Sequence, residues 1–517
     1  MNRFASLCAA PLALIAAVVP ATAQAPASAR RSAGSVDAAV HSITPNDIAR
    51  RIGVIAHDSM RGRDTPSPEL EEVAAYIAGE FRRFGLAPGG DDGTYLQRYG
   101  VVQKALDTAA TRIALSGRAA RRLKAGLDAN VVRFGPLPDQ EFAGPILLFT
   151  GPTDPANPLA GADVRGAWVA QVRSAGPQGV PLDPALWSAA LDSGAVGILM
   201  ITNRPEAQWQ NRLARVTAPL VALEGAGRAG RAPAIVEIRD ETAALLLGLE
   251  VAAARAAAQR EVRRLDGYTL TFRPVERVVS RVMAPNVVGI LEGSDPVLKN
   301  EYLVYSAHMD HVGVGTPVDG DSIYNGADDD ASGAVAVVEA AEAFALLDPR
   351  PRRSIIFLTV SGEEKGLWGS EFFAEHPPVP VGGMVANLNL DMVGRNWPDT
   401  IAVIGKEHSD LGVTLNRVGA RHPELRMQPI DDIWPEENFY FRSDHYNFAR
   451  RGVPILFFFN GTHPDYHRPS DHPDKIDSEK ESRIVKLVFY LGLELANAAE
   501  RPRWNPESYR RIVQPGN

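Results

Sequence analysis

Residues 302–333 of this 517-residue chain read YLVYSAHMDHVGVGTPVDGDSIYNGADDDASG, and they give the clearest indication of the fold class. Tyr302–Ala307 is an apolar run of strand length, and His308-Met309-Asp310 follow it directly. The acidic turn at 326–333 then opens a predicted helix over 332–347. A buried strand that leads through a polar turn into a helix is the repeating unit of an α/β sheet. Such sheets bind ligands beyond the carboxyl ends of their strands.

The same pattern continues on both sides of this stretch. Four further apolar runs are predicted as strands, at Asn286–Leu291, Ser354–Val360, Val385–Leu390 and Pro454–Phe459. Runs that are apolar throughout indicate strands buried on both faces, so helices are expected on both sides of the sheet. The sequence therefore predicts an α/β fold from about residue 280 onward.

Polar side chains gather at the ends of these strands. Strand 354–360 leads into Glu363-Glu364, strand 385–390 into Asp391, and strand 454–459 into His463, Asp465, Tyr466 and His467. Histidines and carboxylates brought to one sheet edge are typical of a metal site with nitrogen and oxygen ligands.

The number of candidate ligands suits two metal ions. Five side chains are predicted as metal ligands: His308, Asp329, Glu364, Asp391 and His467. One carboxylate can bridge two zinc ions, and a water can complete both coordination shells. Glu363 is left over beside a ligand, where it can accept a proton from that water. The neighbouring histidines 311, 445, 463 and 472 are interpreted as packing or supporting residues.

Together these motifs resemble one known family. His308-x-Asp310, Asp329-Asp330-x-Ser332-Gly333, Glu363-Glu364, Asp391-Met392-x-Gly394 and Tyr466-His467 are similar to the motifs of the co-catalytic di-zinc exopeptidases, metallopeptidase clan MH, family 28. That family includes secreted bacterial leucyl aminopeptidases and glutamate carboxypeptidases. The resemblance implies the zinc exopeptidase fold, a mixed sheet flanked by helices. It also implies a smaller strand-rich inserted domain, resembling a protease-associated domain, over residues 131–264.

The resemblance also implies a role for each site residue. His308 and Asp391 would bind one Zn²⁺, Glu364 and His467 a second Zn²⁺, and Asp329 would bridge them, with a cis peptide bond between Asp329 and Asp330. Asp310 would orient His308, Glu363 would be the general base, and Tyr466 would hydrogen-bond the oxyanion.

Several functions are compatible with this centre. We expect an aminopeptidase that hydrolyses the N-terminal peptide bond through a metal-bridging water activated by Glu363. The acidic pairs Asp431-Asp432 and Glu436-Glu437 are candidates for holding the substrate amine, or form a solvated loop. The alternatives are a glutamate-releasing carboxypeptidase using Arg442 and Arg468, an inactive binding protein on the same fold, and a glutaminyl-cyclase-like transferase.

Composition and the N-terminus set the context. The net charge is −8, which gives no electrostatic signal for nucleic acid. Residues 1–23 combine Arg3, the apolar run 7–19 and Ala21-Thr22-Ala23, as a signal peptide does, and Cys8 is the single cysteine. We therefore expect export to the periplasm or the medium, peptide or protein substrates, and no stable membrane association; the oligomeric state is open.

The expected organisation of the chain follows from these segments. It runs as a signal peptide (1–23), a polar leader (24–42), the N-terminal part of the peptidase domain (43–130), the inserted domain (131–264), the di-zinc peptidase domain (265–500) and a C-terminal tail (501–517).

Overall fold

The computed structural model describes residues 35–117, 121–133, 135, 137–174, 183–225 and 234–514. The predicted signal peptide and the leader up to residue 34 lie outside the described residues. Among the described residues, no helix is both long enough and apolar enough to span a bilayer.

Twenty strands are described. They are β1 (Ala87–Pro88), β2 (Leu96–Leu106), β3 (Arg112–Gly117), β4 (Arg121–Leu123), β5 (Ala129–Val132), β6 (Phe142–Thr150), β7 (Trp168–Arg173), β8 (Gly197–Thr202), β9 (Leu220–Leu223), β10 (Ala234–Arg239), β11 (Glu261–Arg273), β12 (Glu276–Leu291), β13 (Tyr302–His308), β14 (Val314–Val318), β15 (Asp321–Ile323), β16 (Ser354–Val360), β17 (Met384–Leu390), β18 (Thr400–Ile404), β19 (Gln428–Ile430) and β20 (Ile455–Phe459).

Thirteen α-helices are described between and after these strands. They are α1 (Val36–Ser42), α2 (Pro45–Ile55), α3 (Pro68–Phe84), α4 (Pro184–Asp192), α5 (Glu206–Thr217), α6 (Asp240–Leu247), α7 (Val251–Arg255), α8 (Gly333–Ala345), α9 (Trp368–Glu375), α10 (Leu411–Arg421), α11 (His445–Ala449), α12 (Ser478–Asn497) and α13 (Pro506–Val513).

The larger sheet is mixed, as expected. Its strands lie in the order β19-β18-β20-β17-β13-β16-β12-β2-β9, with β1 paired to β12. The central strands β16, β13, β17 and β20 run parallel to one another, whereas β12 and β2 are antiparallel to their neighbours. All five predicted strands are present, and the carboxyl ends of the parallel strands meet at one edge.

Helices cover both faces of this sheet. One core packs α1, α2, α3, α8 and α12 against one face, and a second packs α9, α11 and α13 against the other. Helix α3 shows how the sequence specifies this arrangement. Its N-cap Ser67 accepts a hydrogen bond from the Leu70 N–H, its apolar stripe is buried, and Gly85 ends it with φ of 80°.

A second, eight-stranded sheet is inserted into the first. It is built from strands between β3 and β11, in the order β4-β3-β11-β6-β7-β8-β10-β5. The chain leaves the larger sheet after β2, returns to it briefly in β9 and finally in β12, and the Asp107 N–H donates to the Val275 carbonyl at 2.9 Å where β2 ends and β12 begins. Its strands extend to Arg112 and Arg273, beyond the expected 131–264, while β9 pairs with β2 in the larger sheet. The domain boundaries remain predictions.

In three segments the local structure differs from what the sequence pattern indicated. The alanine-rich stretch 241–265, whose composition suits one helix, forms α6 and α7 and then enters β11, because Gly248 ends α6 at φ of 60°. Residues 36–42, expected as polar leader, form α1, whose Ala39 and Val40 pack in the main core. Residues 506–513 of the expected tail form α13, whose Ile512 is buried.

Candidate metal centre

Two groups of metal-binding side chains lie at the carboxyl edge of the larger sheet. His308, Glu363 and Asp391 form the first cluster; His311, Asp329, Glu364 and His467 form the second. In each group the donor atoms lie within 4.8 Å of one another. The structure therefore brings together all five predicted metal ligands, and it adds His311, which the sequence analysis interpreted as a supporting residue.

Asp329 lies between the two clusters. Its Oδ1 is 3.3 Å from His308 Nε2, and its Oδ2 is 3.0 Å from His467 Nε2. The two oxygens of one carboxylate thus face one cluster each, which is the placement that a bridging ligand requires. The peptide bond between Asp329 and Asp330 is cis, as predicted.

Asp330 fixes the backbone around this bridge. Its Oδ2 accepts the His308 N–H at the end of β13, and its Oδ1 accepts the N–H groups of Gly333 in α8 and Met392 after β17. A Cβ on residue 333 would lie 2.2 Å from the Leu390 carbonyl, so only glycine allows this close approach. One buried carboxylate therefore joins three element ends.

His308 is oriented by Asp310, although by a different atom than expected. His308 Nδ1 donates to the Asp310 backbone carbonyl at 3.2 Å, while the Asp310 carboxylate lies 3.7 Å away. That carboxylate instead accepts hydrogen bonds from the Thr65 hydroxyl and the Glu363 N–H. Asp310 thereby ties the strand that carries His308 to the loop that carries Glu363.

Arg63 and Ser443 support the centre but were not predicted to do so, because they lie far from most of the ligands in the sequence. The buried Arg63 guanidinium donates to the carbonyls of Met309, Asn325, Gly326 and Asp329, the loop segments that carry both clusters. The Ser443 hydroxyl donates to Asp391 Oδ2 at 2.8 Å. The sequence alone does not show either contact.

The carboxylates of the second cluster are stabilised by positive charge on the groups beside them. Burial and Asp329 act to raise the pKa of Glu364, but His311 and His467 outweigh them and lower it to about 2. Burial acts to lower the pKa of His467, yet its bonds to Asp329 and Glu364 raise it to about 10. Without a metal, a proton on His467 balances the carboxylates, and a divalent cation can take its place.

Several buried polar atoms of the second cluster have no hydrogen-bond partner in the part of the chain that the structure describes. Among the described residues, His311 Nδ1, Glu364 Oε1 and Asp329 Oδ2 are buried and make no hydrogen bond of good geometry. Buried polar atoms are normally satisfied, so their convergence indicates a missing ligand between them. Imidazole and carboxylate donors suit zinc. The residues present therefore fit a zinc centre.

A cavity opens beside the first cluster. Its lining combines cluster residues with aromatic and polar side chains: His308, Asp329, Glu363, Asp391, Met392, Phe439, Arg442, Ser443, Phe457, Phe459, Thr462 and Tyr466. Tyr466, predicted to contact the oxyanion, lines this cavity and stacks on His467 with ring centroids 4.0 Å apart.

The acidic loop residues suggested for amine binding are absent from this lining. Asp431 pairs with Lys406 at 2.6 Å, and Asp432 accepts the Trp434 N–H at 2.7 Å. Glu437 reaches the cavity indirectly, through its 3.3 Å pair with Arg442. The carboxylates that do face the cavity are Asp329, Glu363 and Asp391.

Two histidine–carboxylate clusters joined by one aspartate thus form a candidate two-metal centre on an α/β domain. Residues 286–492 match the family model of peptidase family M28.

Two named proteins are also similar to this chain. The chain is 29% identical over 233 residues to a protein named probable leucine aminopeptidase from Arthroderma benhamiae, covering 43% of this chain and 61% of that protein. It is 32% identical over 279 residues to a protein named probable zinc metalloprotease from Pyricularia oryzae, covering 44% and 54%. The matches thus span less than two thirds of these relatives.

Among solved structures, an aminopeptidase from Aneurinibacillus sp. strain AM-1 superimposes with a TM-score of 0.49 at 18% identity, covering 91% of this chain and 97% of that one.

Proposed function

We propose that this protein is a zinc-dependent aminopeptidase that removes apolar residues from the N-terminus of peptides. The observation that carries the proposal is the cavity beside the first cluster, where three carboxylates face an apolar wall of Met392, Phe439, Phe457 and Phe459. A carboxylate-rich end suits an ammonium group, and an aromatic wall suits an apolar side chain. The relatives named as aminopeptidases support the same reading.

His308, Asp329 and Asp391 would hold one metal ion, and Asp329, Glu364 and His467 the other. Bound zinc supplies Lewis-acid polarisation at these ligands. Glu363 faces the cavity, and its burial, with neighbouring carboxylates, raises its pKa well above the usual range. Its carboxylate takes a proton from the attacking water and returns it to the leaving amine. The Tyr466 hydroxyl, kept protonated by a pKa that burial raises, donates to the developing oxyanion.

Paired reporter substrates test this proposal. A leucyl reporter with a free α-amine should be cleaved, and the same reporter with an acetylated amine should not, because the blocked amine cannot pair with a carboxylate. A glutamyl reporter serves as the comparison for the apolar wall and should be cleaved more slowly. Cleavage of the acetylated reporter at an equal rate would contradict the proposal.

Arg442 favours a second candidate, the carboxypeptidase. Its guanidinium lines the cavity, lies 4.8 Å from the centroid of the Phe439 ring, and pairs with Glu437. A substrate carboxylate could replace Glu437 as its partner. Arg468, the other suggested arginine, is absent from the lining. Under this candidate, Arg442→Gln raises KM for N-acetylated peptides with a free C-terminus, and amidation of that C-terminus removes the difference. An aminopeptidase would not cleave these peptides at all.

We also propose that the protein is exported. The support is the sequence of residues 1–23 and its small-residue site at Ala21-Thr22-Ala23. Mass spectrometry of protein recovered from the periplasm or medium of an expressing bacterium should show a chain that begins near Gln24. Recovery of the full-length chain from the cytoplasm alone would contradict export.

A further inference from the structure

His311 is a buried side chain that the proposed function leaves without a role. It follows strand β13, has no exposed surface, and directs Nδ1 to within 2.8 Å of Glu364 Oε1 and 3.7 Å of Asp329 Oδ2. Among the described residues, neither of its ring nitrogens makes a hydrogen bond of good geometry. Leaving a buried imidazole unsatisfied costs free energy, so a partner is expected at Nδ1.

The surrounding chain holds the ring in this position. A Cβ on residue 326 would lie 2.4 Å from His311 Cγ, so Gly326 leaves just enough room for the imidazole. The His311 N–H donates to the Arg63 carbonyl at 3.4 Å. On the opposite side, the His467 ring stands nearly perpendicular, with centroids 5.5 Å apart. Both imidazoles therefore face the same point between Asp329 and Glu364.

The spacing of the donor atoms suits one zinc ion. Ligands at 2.0–2.2 Å from zinc in a tetrahedron lie roughly 3.3 Å from one another. In the second cluster, His467 Nε2 lies 3.0 Å from Asp329 Oδ2 and 3.2 Å from Glu364 Oε2, close to this value. His311 Nδ1 lies 2.8 Å from Glu364 Oε1 and 3.7 Å from Asp329 Oδ2, one distance below and one above the roughly 3.3 Å expected between zinc ligands.

We propose that His311 is a fourth protein ligand of the zinc ion held by Asp329, Glu364 and His467. The proposal rests on the zinc centre of the proposed function and makes its two sites unequal. The second site is closed by four side chains, as structural zinc sites are, while His308, Asp329 and Asp391 leave an open position at the first. The cavity agrees with this division, because its lining includes these three ligands and neither His311, Glu364 nor His467.

Zinc affinity tests the proposal without using activity. The metal-stripped wild-type chain, titrated with zinc against a chromophoric chelator, should bind two ions, the tighter at the second site. His311→Ala should weaken the tighter site by more than about 100-fold, beyond the 10–100-fold typical of residues that only support a ligand. The control is His408→Ala, which removes another buried imidazole, one that packs against Tyr440 and lies outside both clusters.

A crystal structure of the zinc-loaded wild type gives a second readout that needs no variant to fold. Zinc-edge anomalous maps should place an ion 2.0–2.1 Å from His311 Nδ1. An ion more than 3 Å from that atom, or a His311→Ala variant that keeps its tighter site, would overturn the role of His311 alone. A wild-type chain that binds no zinc would overturn the proposed function with it.

Discussion

At the residue scale, neighbouring glutamates have different surroundings. Glu363 faces the cavity with the first cluster, whereas Glu364 lies between His311 and His467 in the second. Sequence alone could assign Glu363 and Glu364 to different roles by resemblance. It could not show that Glu363 also lies within ligand distance of His308 and Asp391, because that depends on how three loops meet.

Amide substitution separates the two roles. Glu363→Gln keeps the shape of the side chain but cannot accept a proton, so kcat should fall about 10²–10⁴-fold with zinc content unchanged. Glu364→Gln should lose zinc from the second site. Metal analysis and steady-state kinetics on both variants check this. Equal zinc loss in the two variants would show that Glu363 is a ligand and not the base.

At the scale of elements, the strand ends were predictable and their supports were not. Apolar runs such as Ser354–Val360 specify buried strands locally, so the sequence placed the predicted ligands at one edge. Arg63, Thr65 and Ser443 act through contacts across long sequence separations, which a single sequence does not reveal. The stretch 241–265 is not one helix because Gly248 ends α6 in the left-handed region, and the composition of the stretch does not show where a helix ends.

Asp330 should matter for the stability of this edge. Asp330→Asn places an amide NH₂ group against backbone N–H donors of β13, α8 or the loop after β17. Leaving one buried donor without an acceptor should cost about 1–3 kcal/mol. Urea unfolding of the metal-free protein measures it, with the exposed Asp266→Asn as control. Equal midpoints for Asp330→Asn and wild type would contradict the assigned contacts.

His445 in α11 should make stability depend on pH. It stacks on Phe457 of β20 and donates from Nε2 to the Tyr440 carbonyl. Burial lowers its pKa to about 3, against about 6.5 in an unfolded chain. The unfolded chain therefore binds the proton first as pH falls, and stability is lost from about pH 6.5 down to about pH 3.

Between pH 7 and pH 5, this one group should cost about 2 kcal/mol. His445→Gln should reduce the loss of stability over that interval by this amount in metal-free protein, as measured by urea unfolding at both pH values. The exposed His376→Gln is the control and should keep the wild-type dependence. An unchanged slope in His445→Gln would mean that the buried ring accepts a proton in the folded state.

At the scale of the whole molecule, the larger mixed sheet positions the candidate metal centre, and a second sheet is inserted between its strands β2 and β12. The α/β class followed from the apolar strand runs, which are local, and the strand-rich insertion followed from the family resemblance. The points where the chain leaves and re-enters the larger sheet did not, because they depend on the pairing of β2 with β12 over residues 96–106 and 276–287. Which terminus of a peptide substrate the protein recognises could not be predicted either, because the cavity is formed by residues from several separate segments.

Zinc-dependent hydrolysis of a free N-terminal residue is the central claim. It is tested most directly by stripping the protein of metal and measuring leucyl-reporter cleavage as zinc is added back. Activity should be absent at the start, should rise as zinc is bound, and should reach its maximum at two ions per chain. Asp329→Ala, which removes the carboxylate shared by both clusters, should stay inactive throughout the titration. Full activity in the thoroughly stripped wild type would contradict the account.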